Sequence, residues 1–220
     1  KRQPLQVISG YAELMKNDMV QPSDRQKFAA LIYDEAQTMR SLINDVLTLS
    51  KLDESAFEND GATAINLYAV AQRVAGRLSS FADDQGVRVR VEGASACIAG
   101  SETLAEEMLY NLIENGIRYN HEGGLVTMKV GSECVEGGLA NAAYQTVVRV
   151  SDTGPGIPAE LHDKVFERFF RVDKSRSKET GGTGLGLAIV KHAVMYHGGV
   201  IEVESAEGQG TTFVLRFPSA

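Results

Sequence analysis

Cysteine is scarce in this 220-residue chain: Cys97 and Cys134 lie far apart, with no CxxC spacing and no histidine partner. That pattern excludes a disulfide framework and a thiolate metal site, and reads as two buried free thiols in a reducing compartment. No apolar run approaches the roughly 18 residues needed to span a bilayer, and no signal peptide opens the chain. The first residues, "KRQPLQ", lack an initiating Met, so the sequence reads as a piece of a longer protein whose membrane segment, if any, lies upstream. Basic excess is missing as well. Lys+Arg 22 against Asp+Glu 29 gives a net charge of −7, which argues against non-specific nucleic-acid binding. Neither the dinucleotide GxGxxG fingerprint nor a GxxxxGK[ST] P-loop occurs, and there is no internal repeat.

What is present can build a core, since 43% of the residues are hydrophobic. Leu5, Ile8, Ala12, Met15 and Met19 recur at helical steps until "VQPSD" (20–24) interrupts, with Ser23 as N-cap. A second helix runs to about Asp53 on a near-heptad seam of Leu31, Ile32, Met39, Leu42, Val46 and Leu49. The short connection predicts an antiparallel hairpin. A lone hairpin leaves both seams uncovered, and either a second copy, forming a four-helix bundle, or the chain's own second domain can cover them. After a polar, acidic linker (56–64) the pattern changes. Helix is expected over 67–82, strand over 87–93 and 96–100, helix over 101–119, and a strand pair flanks the "EGGLANAA" loop. A helix after residue 183 and a closing β-hairpin end the chain. The fold class is α+β: a helical hairpin (1–55), then an α/β sandwich (65–220) with helices on one face of a mixed sheet.

The segment "NLIENGIRYN" (111–120) puts Asn111, Asn115, Arg118 and Tyr119 on one narrow helical stripe, with Glu114 pointing elsewhere. Amide oxygens suit Mg²⁺, a guanidinium suits phosphate, and a phenol ring offers a face to a base. In "DTGPGIP" (152–158), Asp152 ends a strand and can accept a hydrogen bond from an exocyclic amine, while Gly154 and Gly156 admit a close ligand. "GGTGLGLAIVK" (181–191) opens a helix and makes an anion site from backbone N–H groups. Each glycine run alone is a weak signal.

Taken in order with "FERFFRVD" (166–173), these stretches resemble the Asn, first Gly, Phe and second Gly boxes of the bacterial two-component sensor histidine kinases. "PLQVISGYAELM" and "LINDVLTLSKLDE" resemble the flanks of that family's dimerisation hairpin, so the resemblance covers nearly the whole chain. It implies an ATP- and Mg²⁺-dependent protein-histidine kinase, with Asn115 holding the metal and Asn111, Arg118 and Tyr119 lining the phosphate and base sites. It further implies that Asp152 meets the adenine amine and that Gly154, Gly156 and Ile157 line its pocket. Arg171 would reach the terminal phosphate and residues 173–183 would form a lid. Gly182, Thr183, Gly184, Leu185, Gly186 and Leu187 would surround the phosphates. The implied partners are a second copy through residues 1–55 and a response-regulator receiver domain. The implied place is the cytoplasmic side of an inner-membrane-anchored sensor.

The same nucleotide fold serves gyrase, chaperone and mismatch-repair ATPases, which carry a water-activating Glu where this chain has Asn111. An amide is a poor general base, so kinase is favoured over hydrolase. The acceptor His of the family pattern falls two places upstream of Lys1. His121, His162, His192 and His197 read as structural or surface residues, and a degenerate ATP-binding scaffold remains the alternative if the upstream residue is not His. Gln3 stands where the family usually has the Thr or Asn that orients water for dephosphorylation.

Overall fold

The structure, a computed structural model, describes residues 4–54, 63–135, 143–172 and 183–219. Helices α1 (Pro4–Lys16) and α2 (Arg25–Glu54) form the hairpin. The Tyr11 and Phe28 rings meet edge to face across it, 5.2 Å apart. Ser23 does not cap α2. It lies inside a single 3₁₀ turn, Pro22–Asp24, whose proline sets its first residues, and the chain turns into α2 directly behind it. Along α2 the expected seam is partly uncovered in the single chain. Leu31 and Val46 of that seam are exposed and Ile32, Met39 and Leu42 half-buried, while Ile43 and Leu47 beside it and Leu5 on α1 are exposed as well. Leu42 differs, packing against Leu185, Ala188 and Ile189 of the second domain. Of the two expected ways of covering the hairpin, the single chain shows contact with its own second domain, at Leu42 and its neighbours, and leaves the other apolar residues open.

The second domain begins with β1 (Thr63–Asn66), a strand too short to show alternation in the sequence. It pairs antiparallel with β3 (Cys97–Gly100). Asn66 then caps α3 (Leu67–Arg77), its side-chain oxygen accepting the N–H groups of Tyr68 and Ala69. The helix expected over 67–82 breaks at Leu78, whose dihedrals leave the helical region, and α4 (Ser79–Asp84) follows. The main sheet runs β2 (Arg88–Gly93), β4 (Leu125–Val135), β5 (Ala143–Asp152), β7 (Thr211–Pro218) and β6 (Val200–Ser205), in that spatial order. Only the β2–β4 pair is parallel. Helices α5 (Glu102–Arg118) and α6 (Gly186–Tyr196) join α3 on one face. There Met108, Leu112 and Ile113 interlock with Met128, Val148 and Leu215.

This is the α+β sandwich expected, with a mixed sheet and one helical layer. The opposite sheet face is solvated and carries the cross-strand pairs Glu133–Arg149 and Glu202–Arg216. Leu112 is fully buried at the helix–sheet contact, so Leu112→Ala should cost roughly 2–5 kcal/mol. A melting temperature lower by several degrees, measured by circular dichroism, checks this. Neither cysteine is in a disulfide, and neither is buried as expected: Cys97 is half-buried and Cys134 exposed. No helix among the described residues is long and apolar enough to cross a membrane.

Candidate active site

Helix α5 begins at Ser101, whose hydroxyl accepts the Leu104 N–H. Its apolar face, from Ala105 to Ile117, is buried. At Gly116 the helix comes so close to β4 that a Cβ would stand 3.1 Å from a Val126 methyl carbon. That approach brings the neighbouring turn of α5 beside Asp152 at the end of β5. The polar stripe is left facing a cleft of about 1130 Å³ between α5, α6, the 152–158 loop and the hairpin helix α2.

Asn111, Asn115, Arg118, Tyr119, Asp152, Gly156, Ile157, Arg171, Thr183, Gly184, Gly186 and Leu187 all line this cleft. Gly154 and Leu185 lie behind the wall instead. A Cβ at Gly154 would press on Asp152 and on the Tyr119 carbonyl, while Leu185 is fully buried in the contact with Leu42. Gly182, most of the 173–183 segment, the 136–142 loop, most of the linker and residues 1–3 lie outside the described residues.

Asp152 accepts the Gly154 N–H at Oδ1, 2.8 Å away. Burial raises its carboxyl above the usual range, and hydrogen bonds from the Gly154 and Thr211 backbones pull the other way. Gly156 has φ +74, and a Cβ there would lie 2.0 Å from the Ala206 carbonyl oxygen, so only glycine fits. A Cβ at Gly186 would stand 2.6 Å from Asn111 Oδ1. The start of α6 thus meets the α5 stripe backbone to amide. Phe169 adopts φ +63 and is exposed, its N–H bonded to the Gly184 carbonyl, which ties the Phe-box turn to the glycine turn.

Glu114 corrects the helical-wheel reading. It does not point elsewhere but lines the same cleft, and its carboxylate accepts from Arg118 at 2.6 Å. Residues four apart stand one turn above each other, so an acid at 114 belongs on the face of Arg118. The sequence reading also missed Ser41, Asn44 and Asp45 of α2, which form the cleft's far wall. Their signal is tertiary: α2's own periodicity says nothing about which domain docks on it.

The donor set fits Mg²⁺ with phosphate. The cleft is lined by amide, carboxylate and hydroxyl oxygens, and among the described residues no histidine or cysteine lines it. Among the described residues, no group of three or more His, Cys, Asp or Glu could hold a metal alone. A Mg²⁺ held here would complete its shell with water and phosphate oxygens, as that ion ordinarily does. The four histidines serve local structure. His162 and His192 bond to the backbone carbonyls of Ile157 and Ala188, and His121 is exposed. His197 is buried, its Nδ1 meeting the Ala193 carbonyl and its Nε2 the Ser101 backbone.

A sandwich with one helical layer and a glycine-bounded cleft between its two main helices defines a nucleotide-binding class, and comparison identifies which. Residues 100–220 match the family described as histidine kinase-, DNA gyrase B- and HSP90-like ATPases. Residues 2–55 match the His Kinase A (phospho-acceptor) domain. The chain belongs to that ATPase family, and the two domains in this order make it a bacterial sensor histidine kinase catalytic core. Among relatives, the sensor-like histidine kinase SenX3 of Mycobacterium tuberculosis is 34% identical over 195 residues, 88% of this chain and 45% of its own length. The phosphate regulon sensor protein PhoR of Pseudomonas aeruginosa is 31% identical, over 100% of this chain and 48% of its own length. The chain thus spans about half the length of these relatives. Among solved structures, full-length ShkA in complex with AMPPNP superposes with a TM-score of 0.70 at 28% identity, covering 100% of this chain and 44% of that one. The mycobacterial sensor kinase MprB gives 0.59 at 26% identity, over 72% and 97%.

Proposed function

We propose that this chain binds Mg·ATP in the cleft and phosphorylates a histidine just upstream of Lys1, from which the phosphoryl group passes to an aspartate of a response-regulator receiver domain. One observation carries the reading: four sequence-distant polar and glycine-rich segments line one cleft large enough for a nucleotide. ATP supplies the phosphoryl group when bound. Asn115 holds Mg²⁺ through its side-chain oxygen, and Asn111 stands one turn away on the same face. Arg118 and Arg171 neutralise phosphate charge, Gly184 and Gly186 let backbone N–H groups approach the phosphates, and Asp152 accepts from the adenine amine. Positioning and charge neutralisation are what phosphoryl transfer asks of a protein. The uncovered hairpin seam supports a homodimer through residues 1–55, and the work takes place on the cytoplasmic side, where ATP is.

The experiment uses the chain with its upstream residues present, Mg²⁺ and γ-labelled ATP. Label retained on the protein in an acid-labile, base-stable form is the expected result. ATP binding without such label would overturn the kinase reading. A second reading, hydrolysis by water, is favoured by Glu114 lining the cleft, although its carboxylate is committed to Arg118. Release of free phosphate without labelled protein would support it.

A further inference from the structure

The far wall of the cleft comes from the hairpin. Ser41, Asn44 and Asp45 of α2 line it, and the Thr183 hydroxyl donates to Asp45 Oδ2 at 2.8 Å. The same hydroxyl accepts the Leu185 N–H at 3.2 Å, so its single proton is committed to Asp45. Beside this bond Leu42 packs on Leu185, Ala188 and Ile189. Together they make one polar and one apolar contact between the hairpin and the start of α6.

We propose that Asp45 and Thr183 form a latch that closes the hairpin onto the nucleotide site and is opened by the nucleotide itself. Resting on the reading of the cleft as an ATP site, the latch follows from two conflicts. A hydroxyl has one proton, so Thr183 donates either to Asp45 or to a phosphate oxygen, never to both. Asp45 also faces a cleft that already holds Glu114, and a triphosphate adds charge of the same sign. Burial raises the Asp45 carboxyl above its usual range, the Thr183 bond offsets part of this, and the Glu114 charge raises it further. A filled site and a docked α2 therefore compete, and the hairpin senses occupancy of the site through its own side chain.

The test uses the full chain and Mg·AMPPNP. Its first readout is calorimetric affinity. The second is the separation of spin labels at Arg40→Cys on α2 and Met195→Cys on α6, with Cys97 and Cys134 replaced by Ser. Asp45→Ala should tighten binding by roughly 5- to 50-fold, within the range of ordinary coupling between sites. Without nucleotide it should show the wider separation that the wild type reaches only with Mg·AMPPNP. Asp45→Asn, which keeps an acceptor but loses the charge, should fall between. Wild-type binding with affinity unchanged in Asp45→Ala overturns the latch and leaves the ATP site standing, as does a label separation that saturating nucleotide does not move. No wild-type binding at all removes the ATP site and the latch with it.

Discussion

Asn115→Ala is expected to abolish binding of Mg·ATP while leaving the fold and the dimer intact. Asn115 is half-buried and lines the cleft, whereas the helix is held by its fully buried residues, Met108, Leu112, Ile113 and Ile117. Alanine is the best helix former, so the substitution leaves α5 in place. The metal, in contrast, loses its only proposed protein ligand. Losing an outer-shell partner commonly costs 10–100-fold in metal affinity, and losing the ligand itself should cost at least about 100-fold. Titration calorimetry with Mg·ATP measures the loss, and circular dichroism with sedimentation checks fold and dimer. An alanine variant that binds Mg·ATP as well as the wild type would sink the metal assignment.

The second large effect belongs to Asp152→Asn, and it splits affinity from stability. Asp152 presents its carboxylate at the strand end, and its burial raises the carboxyl pKa above the unfolded value. The sign follows. A carboxyl with a raised folded pKa favours the folded state below the unfolded pKa, and that contribution is lost as pH rises through the folded pKa. At neutral pH the ionised group therefore costs stability, which the amide does not. The variant should melt at or a few degrees above the wild type at pH 7, and the gap should close as pH falls through the Asp152 titration. ATP affinity should drop at the same time, because an amide and a carboxylate are unequal acceptors for the adenine amine. Melting curves across pH and nucleotide calorimetry read the two effects separately. A variant less stable than wild type at pH 7, with that deficit shrinking toward acid, would reverse the assignment of the burial cost.

The legible part of this fold was the part written in local periodicity. The α5 stripe, the strand ending at Asp152 and the glycine turn opening α6 each announce themselves within about ten residues. All three reach the same cleft. Glu114 was misplaced because the stripe was drawn too narrowly: at about 100° per residue it falls only some 40° from Arg118. β1 stayed hidden because its four residues cannot show an alternation and its first two fall in the polar stretch read as linker, whereas the equally short β3 stands apart from such a stretch. Leu185 looks like a loop residue within a ligand motif, yet it is the core of the contact with Leu42. That contact, like the α2 wall, depends on which way two separately periodic segments meet, and no single segment encodes it.

The His197 ring joins the end of α6 to the beginning of α5, through the Ala193 carbonyl on one nitrogen and the Ser101 backbone on the other. Gly100 has no side chain where that ring lies, since a Cβ would stand 2.3 Å from it. The two helices bounding the cleft are thus pinned at one corner, like the arms of calipers. Any widening between them pivots there and is greatest at the other end of α6, where Gly186 passes Asn111.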